Sequence, residues 1–131
     1  MATEVISVLR EEKYLMEVSA GKNTIIADEP ISKGGQEKGF NPFELLASAL
    51  STCTSATIKM FAERREWNLE EVSVKVNFEG VKEGITFIQK EIFLKGNLTQ
   101  EQKDALLKVA HACPVQKVLE SEILIESAIG N

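Results

Sequence analysis

Metal ligands are scarce in this chain. Its 131 residues hold two cysteines and one histidine, none with metal-type spacing, whereas a structural zinc site wants four Cys or His ligands. Basic residues are in deficit as well. Fifteen Lys and Arg against 20 Asp and Glu give a net charge of -5, with the signs interspersed, so the basic stripe expected of a nucleic-acid binder is missing. Residues 1–14 carry Glu4, Arg10, Glu11, Glu12 and Lys13 without an uninterrupted apolar stretch. No secretory leader is read there, and a cytoplasmic location is the default expectation. The longest uncharged run, from Leu45 to Ile58, is dotted with Ser and Thr and is shorter than the roughly 20 apolar residues of a membrane span. It reads as a buried helix, with no membrane partner expected. The segment from Gly34 to Gly39 lacks the spacing and the terminal Lys with Ser or Thr of a phosphate-binding loop.

What is present fits one compact domain, residues 1–131, since 44% of the chain is hydrophobic and the length is too short for two cores. Val5 to Arg10, Tyr14 to Val18 and Asn23 to Ala27 alternate as short strands and predict an N-terminal meander. Asp28 to Gly39, with Pro30, Gly34, Gly35 and Gly39, predicts an irregular loop, either lid or connector. Asn41 is placed as an N-cap, Pro42 at the first helical position, Glu44 at the third, and Phe40 with Leu45 as a hydrophobic staple. That helix is expected to reach Arg65 or Glu66. Its first half is apolar or small on all sides, which predicts burial all round and, in so small a chain, a homodimer.

Val72, Val74, Val76 and Phe78 alternate with polar residues, a turn is read from Gly80 to Gly84, and Ile85 to Leu94 returns. Thr99 and Gln102 form a second capping box, opening a helix whose Leu106, Val109, Ala110 and Cys113 share a face. Pro114 suits the start of a further helix, Val115 to Glu120, with Cys113 as its N-cap. Ile123 to Ile125 is read as a last strand. Phe61 and Trp67 are expected to cover the packing edge of the first helix, and His111 to lie on the surface or rim.

The two cysteines stand sixty residues apart, each on the apolar side of a predicted helix. Two cysteines in a cytoplasmic chain read as reduced thiols or a redox couple more than as a staple. Cys53, mid-helix in apolar surroundings, is expected to stay protonated without a nearby cation, whereas Cys113 at a helix start has a local reason to ionise.

Asp28-Glu29-Pro30, Gly34-Gly35, then Pro42-x-Glu44-Leu45-Leu46 running into Cys53-Thr54, and finally Cys113-Pro114-Val115, resemble the OsmC-like family, which includes the osmotically inducible protein C and the organic hydroperoxide resistance proteins. The resemblance implies an α+β fold with two curved antiparallel sheets around long central helices in an intertwined homodimer. It also implies a cysteine-based reductase of organic hydroperoxides that needs no metal, flavin or haem. Cys53 would attack the peroxide and become a sulfenic acid, Cys113 would resolve it to a disulfide, and a dithiol would reduce the pair. The reverse assignment of attacker and resolver stays open. An apolar lining of Leu46, Leu50, Met60 and Phe61 would favour an alkyl tail.

Active members of the family typically have Asn-Pro-Glu where this chain has Asn41-Pro42-Phe43. Glu44 is one position off, and at about 100° per residue it falls opposite Cys53, which suits a helix cap better than a partner of that thiol. Glu44 and Arg10, the only arginine before residue 64, are the candidates for supporting roles, with a solvated strand residue as the plainer reading of Arg10. Lys33 and Lys38 are candidate loop cations. The alternative function is a non-catalytic dimer that binds an apolar ligand or senses oxidation through the same cysteines.

Overall fold

The computed structural model describes residues 3–130 and is an α+β chain. Three short strands, β1 (Ile6–Leu9), β2 (Met16–Ala20) and β3 (Asn23–Ala27), form an antiparallel meander in the order β1-β2-β3. Gly21, with φ of 61°, takes the left-handed conformation that the tight β2–β3 turn requires. A 3-10 turn at Ile31–Lys33 follows. Helix α1 (Pro42–Arg64) then leads to β4 (Glu71–Lys82) and β5 (Ile85–Lys95), which pair antiparallel as a second sheet. The chain ends with α2 (Gln100–Val109), a 3-10 turn at Ala110–Ala112 and α3 (Pro114–Leu119). It separates into two compact units, residues 3–46 and 47–130.

The local signals act as their chemistry dictates. The Asn41 amide donates to Glu44 at 2.9 Å and the Glu44 amide donates to the Asn41 side-chain oxygen at 2.9 Å, a closed capping box at the start of α1. The same exchange between Thr99 and Gln102 opens α2. The β4–β5 turn is tighter than the span from Gly80 to Gly84. Glu83 and Gly84, at φ of 53° and 78°, make a two-residue connection with both centres left-handed. Gly80 instead sits at a register shift within β4, at φ of 102°, where a bulge needs an extra residue.

Two expectations are corrected. Within the single chain the first half of α1 is not buried all round: only Leu50 is buried there, opening a stripe that continues through Thr54, Ile58 and Ala62 at four-residue spacing, while Phe43 and Leu46 stay exposed. Small, weakly polar residues removed the contrast by which a stripe is read from composition. Residues 122–130 form no strand, and Ile123, Leu124 and Ile125 are exposed. A strand exists only with a partner to pair its backbone, and no partner strand meets this segment within the described chain.

The hydrocarbon core of the 47–130 unit is Ile58, Ala62, Leu69, Leu106 and Ala110, flanked by Phe61, Trp67, Val72, Ile92, Leu94 and Leu98. Phe61 and Trp67 meet edge to face at 5.7 Å and Arg65 lies over the Phe61 ring at 4.6 Å, the edge-covering role expected of the two aromatics. By length and composition α1 could cross a membrane, with mean hydropathy of 1.2 over its best window. Its buried stripe instead packs into this core.

Candidate functional site

Three elements of the 47–130 unit converge on the cysteines. Helix α1 supplies Cys53, half-buried, and Thr54, fully buried. Cys113, fully buried, stands at the junction where Pro114 ends one helical run and starts α3. Its φ and ψ of -61° and 123° are extended, as an N-cap requires. The two thiols lie close enough for each to shift the acidity of the other. Sixty residues of sequence separation are thus closed by the fold. Both sulfurs are unbridged.

Strand β5 supplies Lys90, which composition and motif did not single out. Its ammonium donates to Thr54 Oγ1 at 3.1 Å and to the Ala110 carbonyl at 2.9 Å. A signal existed in the sequence. The inward face of β5 reads Ile88, Lys90, Ile92, Leu94, each half-buried while the intervening residues are exposed. One cation interrupts an otherwise apolar face, opposite Val76 of β4. A lysine in such a place requires partners, and Ala110, Thr54 and the thiols provide them.

The thiols differ in acidity. Burial pushes Cys53 up, and its hydrogen bond to Cys113 and the negative charge there push it further. The Val115 amide and the Thr57 hydroxyl offset only part of this. Burial also acts against Cys113 as an anion, but it is outweighed by hydrogen bonds from the Cys53 thiol, the Gln116 amide, the Thr54 hydroxyl and the Val115 amide. Cys113 ends below the ordinary thiol value. Burial lowers the Lys90 ammonium from its usual range, opposed by negative charge at Cys113, Cys53 and Glu120. No side-chain cap bond is closed at Cys113; a neutral thiol is a weak acceptor, and the Gln116 and Val115 amides count chiefly once the sulfur is anionic.

Thr54 links these groups. Its oxygen accepts from Lys90, and its single proton goes to the Leu50 carbonyl at 2.7 Å. Facing a thiolate at Cys113, that proton can turn to sulfur instead. Thr57 is placed in the same way, donating to the Cys53 carbonyl at 2.8 Å.

The other candidates lie elsewhere. Glu44 is engaged in the α1 cap. Arg10 pairs with Glu17 at 3.3 Å, both side chains more than half exposed. Lys38 binds Glu12 at 2.7 Å, and Lys33 sits 6.0 Å from the centre of the Phe43 ring. His111 is exposed. Of the expected alkyl lining, Leu50 is buried, Phe61 belongs to the core margin, and Leu46 and Met60 are exposed. Among the described residues no group of three or more His, Cys, Asp and Glu is placed to hold a metal ion.

The loop from Asp28 to Gly39 is organised from within its own unit. The buried Asp28 carboxylate accepts from the amides of Glu29 at 2.7 Å, Lys38 at 3.2 Å, Gln36 at 3.3 Å and Tyr14 at 3.3 Å. Gly35 passes so close that a Cβ there would meet the Glu29 carbonyl oxygen at 2.0 Å. A cleft of about 420 Å³ opens beside this loop, lined by Glu29, Pro30, Glu37, Lys38, Phe40 and Glu44 among others.

A model of the family described as OsmC-like protein matches residues 35–128. Solved structures agree at the level of fold. An OsmC-like protein from Mycoplasma pneumoniae is 20% identical, with a TM-score of 0.75 over 92% of this chain and 88% of that one. An organic hydroperoxide resistance protein OsmC from Legionella pneumophila is 22% identical, with a TM-score of 0.67 over 92% and 90%. An organic hydroperoxide resistance protein from Elizabethkingia anophelis is 20% identical, with a TM-score of 0.67 over 92% and 89%. No curated protein sequence is similar enough to match.

Proposed function

Because the chain belongs to the OsmC-like protein family, we propose that it is a thiol-dependent reductase of organic hydroperoxides, working through Cys53 and Cys113 as a homodimer in the cytoplasm. A redox-related role is common ground with relatives that are organic hydroperoxide resistance proteins. The observation that carries the finer reading is the convergence of the two thiols beside a half-buried ammonium.

The chemistry follows from that pair. Cys53 is the more accessible sulfur, so it attacks the distal peroxide oxygen; the O–O bond breaks, an alcohol leaves and Cys53 holds a sulfenic acid. Cys113, its neighbour in the fold, displaces hydroxide from that sulfur to form the disulfide before a second peroxide can overoxidise it. A dithiol reductant restores both thiols by exchange. Sulfur carries both electrons throughout, so no cofactor is invoked.

The test is intact-mass analysis of the reduced protein after a slight excess of an alkyl hydroperoxide or hydrogen peroxide, with Cys53→Ser and Cys113→Ser alongside. The expected result is loss of two hydrogens in the wild type, faster with the alkyl peroxide, and a sulfenic acid on Cys53 in Cys113→Ser. Thiols that stay reduced over minutes would overturn the assignment in favour of a binding or oxidation-sensing dimer.

A further inference from the structure

Lys90 reaches the cysteines by a route distinct from the two supporting candidates at the N-terminal end of the chain. It projects from the apolar inward face of β5 and is pinned by Thr54 Oγ1 and the Ala110 carbonyl. Thr54 adjoins Cys53 in α1, and Ala110 lies three residues before Cys113. One ammonium thus bridges the two segments that carry the two sulfurs. Other cations of this unit are engaged elsewhere: Lys59 donates to the Leu69 carbonyl at 2.7 Å, Arg65 covers Phe61 and Trp67, and Lys95 pairs with Glu71 at 3.2 Å.

A half-buried ammonium with two neutral acceptors is incompletely compensated. The groups that face it are Cys53 and Thr54 from α1, Cys113 from the junction, the apolar Val76 from β4, and Glu120, exposed at the end of α3. Of these, the groups that can turn anionic in the interior are the two sulfurs. Burial raises Cys53 and the donors around Cys113 lower it, so Cys113, the buried sulfur, is the readier of the two to carry that charge.

We infer that Lys90 is a positioning residue that holds a single negative charge on the thiol pair, at rest on Cys113. Its use in turnover rests on the reductase reading above: in the first step the proton of Cys53 passes to Cys113. Cys53 thiolate then attacks the hydroperoxide, giving a sulfenic acid and an alkoxide, and the alkoxide takes the proton back from Cys113 and leaves as alcohol. Cys113, again a thiolate facing Lys90, attacks the Cys53 sulfur; the S–O bond breaks, the disulfide forms, and the departing hydroxide is protonated by solvent. Charge and protons balance, and Lys90 neutralises the charge wherever it sits on the pair.

The measurement is the pH dependence of thiol ionisation in the reduced protein, read by ultraviolet thiolate absorbance and by the rate of iodoacetamide alkylation, in wild type, Lys90→Met, Lys90→Arg, Cys53→Ser and Cys113→Ser. Peroxide is not used, so this test can fail or succeed independently of the reductase reading. One unit of thiol pKa is a tenfold change in thiolate fraction. Lys90→Met should raise the first thiol ionisation and cut thiolate at pH 7 by about tenfold or more, and Lys90→Arg should retain most of it. The first ionisation should persist in Cys53→Ser and vanish in Cys113→Ser. An unmoved profile in Lys90→Met with a native circular dichroism spectrum, or a first ionisation that vanishes in Cys53→Ser instead, overturns the inference. Should Lys90→Met not fold, the Arg variant and Thr54→Val carry the test: loss of the first ionisation in Lys90→Arg, or an unchanged profile in Thr54→Val, counts against it.

Discussion

The two units of this chain bury different things. The 47–130 unit closes on hydrocarbon, with Ile58, Leu106 and Ala62 essentially without solvent contact. The 3–46 unit buries Ala27, Asp28 and Gly35, and leaves Val5, Ile6, Leu9, Ile25, Ile31, Phe40 and Phe43 exposed. One is held by burial of apolar area, the other by a carboxylate that gathers its loop. Apolar surface of that extent calls for a cover, and a second copy of the chain is the cover that the proposed homodimer supplies.

The buried anions differ in the same way. Burial works against Asp28 as an anion, but the amides of Glu29, Lys38, Gln36 and Tyr14 outweigh it and its carboxyl sits below the usual range. Four fixed donors leave that charge nowhere to go. At the cysteines the neighbours are a second titratable sulfur and, through Thr54, a lysine, so the charge can move. A saturated anion builds structure, and an unsaturated one is available for chemistry.

The largest effect expected from breaking this contrast is on the hydrocarbon side. Leu106→Ala opens a cavity in a site with no solvent contact and should cost about 2–5 kcal/mol, read by urea unfolding of the reduced protein. Removing an apolar side chain exposed in the monomer, such as Ile31 at 67% exposure, should cost no more than about 0.5 kcal/mol unless a second copy covers it. A much larger loss, concentration-dependent and accompanied by a fall from twice the 14.5 kDa chain mass in light scattering, would place Ile31 in the dimer interface.

Next comes the carboxylate. Asp28→Asn keeps the shape but exchanges an acceptor oxygen for a donor group among four backbone amides; the melting temperature should fall by on the order of 5 °C. The sign of its pH dependence is fixed by its lowered carboxyl. Between the folded value and the unfolded value near 3.9 the unfolded chain binds the extra proton, so stability rises with pH through that window and is lost as pH falls through the folded value. Asp28→Asn should lack this acid-side loss. Equal acid sensitivity in variant and wild type would mean that the carboxylate is not what gathers the loop.

The thiol pair mirrors this on the alkaline side. Cys113 is lowered, so its contribution to the reduced protein grows as pH rises toward the unfolded thiol value near 8.5, and is absent below the folded value. Cys53 is raised, so above that range the sign reverses. The difference in stability between wild type and Cys113→Ser should therefore widen as pH rises toward about 8.5. A flat difference would show that Cys113 carries no charge at rest.

Sequence showed those parts of the fold whose causes are local. The caps at Asn41 and Thr99, the Pro114 restart and the alternation of Val72 to Phe78 each contain their own explanation within a few residues. The cysteine contexts were readable too, although their approach to one another is a product of tertiary folding. Lys90 escaped notice because a lysine in a strand is ordinary until the facing of that strand is known. Asp28 escaped because its partners are backbone amides, which carry no residue identity. Residues 123–125 misled because strand propensity does not supply a partner.

The smallest effects come from the junction of the two regions of sequence, the cap of α1, where Glu44 has two readings. As an N3 residue its carboxylate accepts from the Asn41 amide at 2.9 Å, and Gln at that position can accept the same bond. Glu44→Gln should therefore cost a few tenths of a kcal/mol, from the lost interaction of the charge with the helix dipole. Asn41→Ala, which deletes the reciprocal acceptor for the Glu44 amide, should cost about 1 kcal/mol. The thiol ionisation profile separates the readings, since a cap residue leaves it in place. If Glu44→Gln moves that profile by more than about half a unit, roughly threefold in thiolate, without a matching loss of helix stability, then Glu44 acts on the thiols and the cap is not its main role.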